Sequence, residues 1–140
     1  MERTDLPLIY SCSGCSSAAQ MANDIAIHLH RDGDAEMSCI AGVGGGVKPL
    51  VRLAKSGRKV LAIDGCKLRC VENCLARHGV RADAHFDLSD LGVRKLRREA
   101  YEQTKAEDAY RMILTAANGL KSSKTGPAVR TDEPQSADPA

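Results

Sequence analysis

From its first residues the chain repeats one local grammar, a short apolar run that breaks at small residues and passes into helical spacing, and this alternation restricts the fold more than anything else in it. Leu6-Pro7-Leu8-Ile9-Tyr10-Ser11 is apolar and runs out into Ser and Gly, as a buried strand does. From Ser16 the apolar residues Ala18, Met21, Ala22, Ile25 and Leu29 follow a helical period that ends near Arg31-Asp32-Gly33. Ala35-Glu36-Met37-Ser38-Cys39-Ile40 then reads as a second strand. After it come a flexible turn over Gly42-Val43-Gly44-Gly45-Gly46 and a helix with Val47, Leu50, Val51 and Ala54 on one face. Pro49 is tolerable in that helix's first turn. Lys59-Val60-Leu61-Ala62-Ile63-Asp64 is the clearest strand, and Gly65 bends it into a helix expected from Cys66 to Arg77, closed by Gly79. A fourth strand is expected from Ala82 to Phe86.

Strands alternating with helices specify a mostly parallel sheet, because right-handed crossovers lay the helices over its faces. The expected fold is a small Rossmann-like three-layer α/β domain whose sheet has about four strands. Helical spacing resumes at Leu96 and Ala100, and again at Tyr110, Ile113, Leu114 and Ala117, so a C-terminal helix completes the domain over residues 1–121. The basic run Arg94-Lys95-Leu96-Arg97-Arg98 is expected on the solvated face of a helix beginning. Beyond Lys121 the chain turns to Ser, Thr, Asp and three of its five prolines, which cannot bury enough apolar surface to offset ordering entropy. Residues 122–140 are therefore expected to form a disordered tail.

With 140 residues and 43% hydrophobic content, one domain with its own core is the expectation. No stretch approaches the roughly 18 to 20 apolar residues needed to cross a bilayer, and the start MERTD lacks the order of a secretory signal. The expected location is the cytoplasm, with no membrane partner. A net charge of +2, no Trp, one Phe and three Tyr leave neither a basic stripe nor a stacking platform, so nucleic acid is not an expected partner. No protein partner is specified.

Six cysteines, Cys12, Cys15, Cys39, Cys66, Cys70 and Cys74, are the anomaly. In a reducing compartment that number points to metal ligation, redox chemistry or buried thiols rather than to a disulfide framework. Cys12, Cys39 and Cys66 stand at the ends of three successive strands, and a parallel sheet carries those ends to one edge, where ligands bind in such folds. Cys12-Ser13-Gly14-Cys15 has the two-residue spacer that lets both sulfurs reach one ion. Four thiolates around zinc at about 2.3 Å stand about 3.8 Å apart, within reach of helix positions four apart, so Cys66 and Cys70 can also converge. Cys12, Cys15, Cys66 and Cys70 are thus the expected ligands. Cys39 is a further or alternative one. Cys74 falls partway towards the apolar face, at roughly 80° from Cys66, where a buried thiol competes with a ligand. His28, His30, His78 and His85 are not needed to fill the site. Asp64 suits either a helix cap or the orientation of a ligand, and the glycines from Gly42 to Gly46 lack the Lys-Ser or Lys-Thr close of a phosphate loop.

The segments Tyr10-Ser11-Cys12-Ser13-Gly14-Cys15-Ser16, Cys39-Ile40-Ala41-Gly42-Val43-Gly44-Gly45 and Ile63-Asp64-Gly65-Cys66-Lys67-Leu68-Arg69-Cys70-Val71-Glu72-Asn73-Cys74-Leu75 resemble the DGC-domain family. Asp64-Gly65-Cys66 is the name-giving triplet, and the likeness continues through Asp87-Leu88-Ser89-Asp90-Leu91-Gly92-Val93. The resemblance implies zinc binding and leaves its purpose open.

Three readings follow. The first is a metal-binding protein with zinc held by the thiolates, more a binding protein than an enzyme. The second is a thiol redox or transfer enzyme with Cys12 as nucleophile and Cys15 or Cys70 resolving. The third is an iron–sulfur cluster protein, since thiolates select that cluster too.

Overall fold

The computed structural model describes residues 5–121, so the tail read over 122–140 lies outside the described residues. Strand β1 (Leu8–Ser11) is central and pairs in parallel with β2 (Glu36–Met37) on one side and β3 (Val60–Asp64) on the other. β3 pairs in parallel with β4 (Ala84–Asp87), giving the order β2-β1-β3-β4. The parallel sheet expected from the strand–helix alternation is therefore present, with four strands. Since β1 leads outward to β2 and the chain then crosses back over β1 to β3, the order reverses between β1 and β3. In open α/β sheets ligands bind at that reversal, outside the carboxyl ends of the strands.

Side chains alternate across the two central strands, and each face buries one set. Ile9, Leu61 and Ile63 pack against α1 (Ser17–Arg31) and α5 (Gln103–Leu120), whose Met21, Ala22, Ile25, Leu29 and Ile113 are buried. Leu8, Tyr10, Val60 and Ala62 face the other way, onto Val43 of α2 (Ile40–Gly44), Ala54 of α3 (Lys48–Ala54), and Val71 and Leu75 of α4 (Cys70–Ala76). The result is helices, sheet, helices. The described α1 begins where the sequence placed it: Ser16 Oγ accepts from the Ala19 N–H at 3.1 Å and caps the helix.

The structure corrects four expectations. The second strand is only two residues long; Cys39 is the N-cap of α2 and Ile40 its first residue, because burying Val43 against the sheet turns this segment away from the strand. The glycine segment is consequently helical up to Gly44 rather than a free turn. Leu96 and Ala100 are not helical. Residues 94–97 run past the start of α1, where Ser17 N–H donates to Leu96 O at 2.9 Å, Ser17 Oγ accepts the Leu96 N–H at 2.9 Å and Arg97 bridges Ser16. Finally, α4 starts at Cys70, not Cys66. Arg69 takes a left-handed conformation (φ 50°, ψ 52°) and breaks the helical run ahead of it.

Candidate functional site

At the carboxyl edge, the pairing of β1 with β3 continues one residue further, with Cys12 N–H donating to Ile63 O at 3.1 Å. The next contact involves sulfur: the Gly65 N–H donates to Cys12 Sγ at 3.2 Å. The thiol that leaves β1 therefore lies against the loop that leaves β3. Burial, and after it the nearby negative charges of Asp64, Cys70 and Cys66, push the Cys12 thiol up to about 11 despite the Gly65 hydrogen bond. Cys74 is half-buried in α4, and its thiol is raised by burial and then by Cys70. Cys12, Cys66, Cys70 and Cys74 thus form one electrostatically connected group.

The Asp64-Gly65-Cys66 triplet is explained residue by residue. Asp64 is buried, and its carboxylate accepts from Val71 N–H at 2.7 Å and Glu72 N–H at 3.2 Å, capping α4 from the end of β3. His85 Nε2 lies 2.9 Å from the same carboxylate, from the neighbouring strand β4. Gly65 is where the loop crosses the start of α1: a Cβ there would lie 2.8 Å from the carbonyl carbon of Ala18 and 2.9 Å from its oxygen. Cys66 follows on a turn closed by Arg69 N–H to Cys66 O at 3.0 Å.

This turn is held from outside. Lys67 pairs with Asp87 at 3.4 Å and with Asp90, while Arg69 reaches Asp87 at 3.4 Å and Glu72 at 3.2 Å. Burial opposes the charge on Asp87, yet hydrogen bonds from the Ser89 hydroxyl and N–H and from Lys67 outweigh it and lower its pKa. Over the turn lies Lys95, whose Nζ donates to Cys66 Sγ at 3.3 Å.

The other thiols are placed differently. Cys15 is exposed on the β1–α1 loop, which Gly14 turns with φ 138°. Cys39 is exposed at the start of α2, with its charge felt by Tyr10. The convergence of Cys66 and Cys70 along a shared helix does not occur, because Cys66 precedes α4. Among the described residues, no three His, Cys, Asp or Glu side chains stand in a metal-coordinating group. All six cysteines are free thiols. Of the histidines, His78 Nε2 lies 2.8 Å from Val43 O, a carbonyl of α2 rather than of its own helix end.

Two participants escaped the sequence reading. The local pattern around Lys95 suits a solvated helix face, and nothing in it marks a residue that reaches a thiol twenty-nine positions away. The sequence puts His85 in β4, but its pairing with Asp64 follows from the register Ile63↔Phe86 and Asp64↔Asp87, which only strand order supplies.

Among the described residues no helix is long and apolar enough to cross a membrane. No solved structure matches the chain. The anaerobic and virulence modulator AnvM of Pseudomonas aeruginosa is 56% identical over 109 residues, covering 78% of this chain and 81% of that protein. Residues 8–113 match the DGC domain, a span that holds the four strands, all six cysteines and Lys95. With its name-giving triplet built into the junction of β3, α1 and α4, the chain belongs to the DGC-domain family.

Proposed function

We propose that this protein binds a thiophilic metal ion, zinc first, through cysteine thiolates at the carboxyl edge of the sheet. The observation that carries the reading is the meeting of two strand ends: Cys12 Sγ lies against Gly65 N–H, with Cys66 and Cys70 near enough for their charges to act on it. The donor set suits such an ion, since soft thiolates select zinc and iron–sulfur clusters over hard cations. Cys12, Cys66 and Cys70 would form the core of the ligand set. Cys15 would join from its exposed loop, and Cys39 and Cys74 are further or alternative ligands. Among the described residues the thiols do not stand preassembled around a point, so binding would draw them together, with the metal displacing the proton that Cys12 holds. Such thiols persist in a reducing compartment, and the cytoplasm is the proposed location.

Protein purified without a tag under reducing conditions should contain close to one zinc per chain by elemental analysis, and Cys12→Ser or Cys66→Ser should lose it. Wild-type protein that stays metal-free after equilibration with zinc would overturn the reading. A visible absorbance band after anaerobic purification would identify an iron–sulfur cluster instead.

Thiol redox chemistry is the second reading, and one contact favours it: the Lys95 ammonium on Cys66 Sγ. That contact points to Cys66 rather than Cys12 as the nucleophile, because buried Cys12 holds its proton at neutral pH. Metal-free protein that cycles a disulfide involving Cys66 at a cytosolic potential would support this alternative over zinc.

A further inference from the structure

Between α1 and α5 lies an open groove of about 340 Å³, built from side chains that take no part in the thiol site. Its floor is apolar and shallow, made by the buried Ile25 and the small buried Ala106. Two tyrosines line it. Tyr101 Oη donates to Asp24 Oδ2 at 2.7 Å, and the Tyr110 ring stacks on His28 with centroids 4.2 Å apart and planes 14° apart. In a chain with three Tyr, one Phe and no Trp, two tyrosines in one groove concentrate half of the aromatic side chains there.

The charge around these rings is negative on balance. Asp24 stands on the α1 wall and Glu107 on the α5 wall, and Glu107 has no ion pair among the described residues. Asp32 lies behind His28 at 3.1 Å and within 3.4 Å of Tyr110 Oη. The cation of the lining, Arg111, is engaged by Asp108 at 2.7 Å. Burial first and then Asp24 push Tyr101 up to about 12, and burial followed by Asp32 and Asp34 raises Tyr110.

Aromatic faces attract cations through the ring quadrupole, and flanking carboxylates add a counter-charge. A groove of this volume is at the lower end of the roughly 300–1,000 Å³ range of small-ligand sites. We infer that the α1–α5 groove binds a small organic cation, a guanidinium or alkylammonium group, against Tyr101 and Tyr110 with Asp24 and Glu107 as its counter-ions. Charge complementarity decides the class: a neutral ligand of the same shape could hydrogen-bond the carboxylates but brings no counter-charge, and an anionic one would be repelled by them. The site is independent of the thiols, so its failure would leave the metal proposal untouched.

The test uses the full chain and two probes of nearly equal shape, ethylguanidinium and the neutral ethylurea. Tyrosine fluorescence reports on the groove directly, since the third tyrosine, Tyr10, is buried on the opposite face of the sheet. Ethylguanidinium should give saturable quenching and amide shifts confined to α1, α5 and the residues around Tyr101 just ahead of α5, with a dissociation constant on the order of 1 mM for so small a ligand. Ethylurea should not saturate. Glu107→Gln, an exposed change that leaves the fold intact, should weaken binding at least about threefold. Ala106→Met, which fills the floor and keeps every charge, should abolish it. Equal binding of the two probes, amide shifts at the thiol edge, or binding indifferent to both variants would overturn the inference.

Discussion

A methyl group on Gly65 would be driven against backbone, not against a side chain that could turn away, since its neighbours are the carbonyl of Ala18 and the N–H of Ala19 at 3.0 Å. Gly65→Ala would gain about 0.4–1 kcal/mol from a stiffer unfolded chain. Overpacking against an immovable helix start costs about 1–3 kcal/mol, so the variant should be less stable on balance. Urea denaturation should show a lower midpoint at unchanged slope; an unchanged or higher midpoint would mean that the start of α1 gives way. The bend at Gly65 and the capping option for Asp64 were legible in the residues themselves. The reason Gly65 admits no side chain was not, because the obstacle comes from α1, which lies on the opposite side of the sheet from α4.

Among the elements, α4 departs most from its local pattern. Helical spacing from Cys66 onward continues into the apolar positions of α4, but the described helix waits until Cys70 because Asp64 supplies its cap there and Arg69 turns left-handed. That conformation costs a non-glycine residue roughly 1–2 kcal/mol, and a β-branched residue more. The half-exposed ion pairs of Arg69 with Asp87 and Glu72 return only a fraction of it. Arg69→Gly should therefore leave stability within about 1 kcal/mol of wild type, whereas Arg69→Val should lower it by more than about 1 kcal/mol. Thermal unfolding of the pair checks this; equal losses in both variants would show that the ion pairs, not the backbone, hold the turn. A similar override shortens β2: Ile40 suits a strand by composition and joins a helix because Val43 three residues on is buried against the sheet.

For the whole molecule the central strand β3 couples the two faces. Leu61 packs towards α1 and α5, while its neighbours Val60 and Ala62 pack towards α2, α3 and α4, so a void under one layer loosens the strand that both layers share. Leu61→Ala should cost about 2–5 kcal/mol. Both faces should still melt in a single transition, since a domain of this size unfolds as one unit. Hydrogen exchange would read the two layers separately, and protection lost over α1 and α5 alone would contradict the coupling. By itself the sequence determined the α/β class, the parallel sheet, the start of α1 and the positions of Cys12 and Cys66 just past the ends of β1 and β3, because apolar period and turn residues act over a few neighbours. Only the tertiary structure decided the order β2-β1-β3-β4, the late start of α4, the hydrogen bond from Lys95 to Cys66 and the groove between α1 and α5. Each of these depends on contacts between segments distant along the chain, and no local pattern encodes which distant segment will arrive.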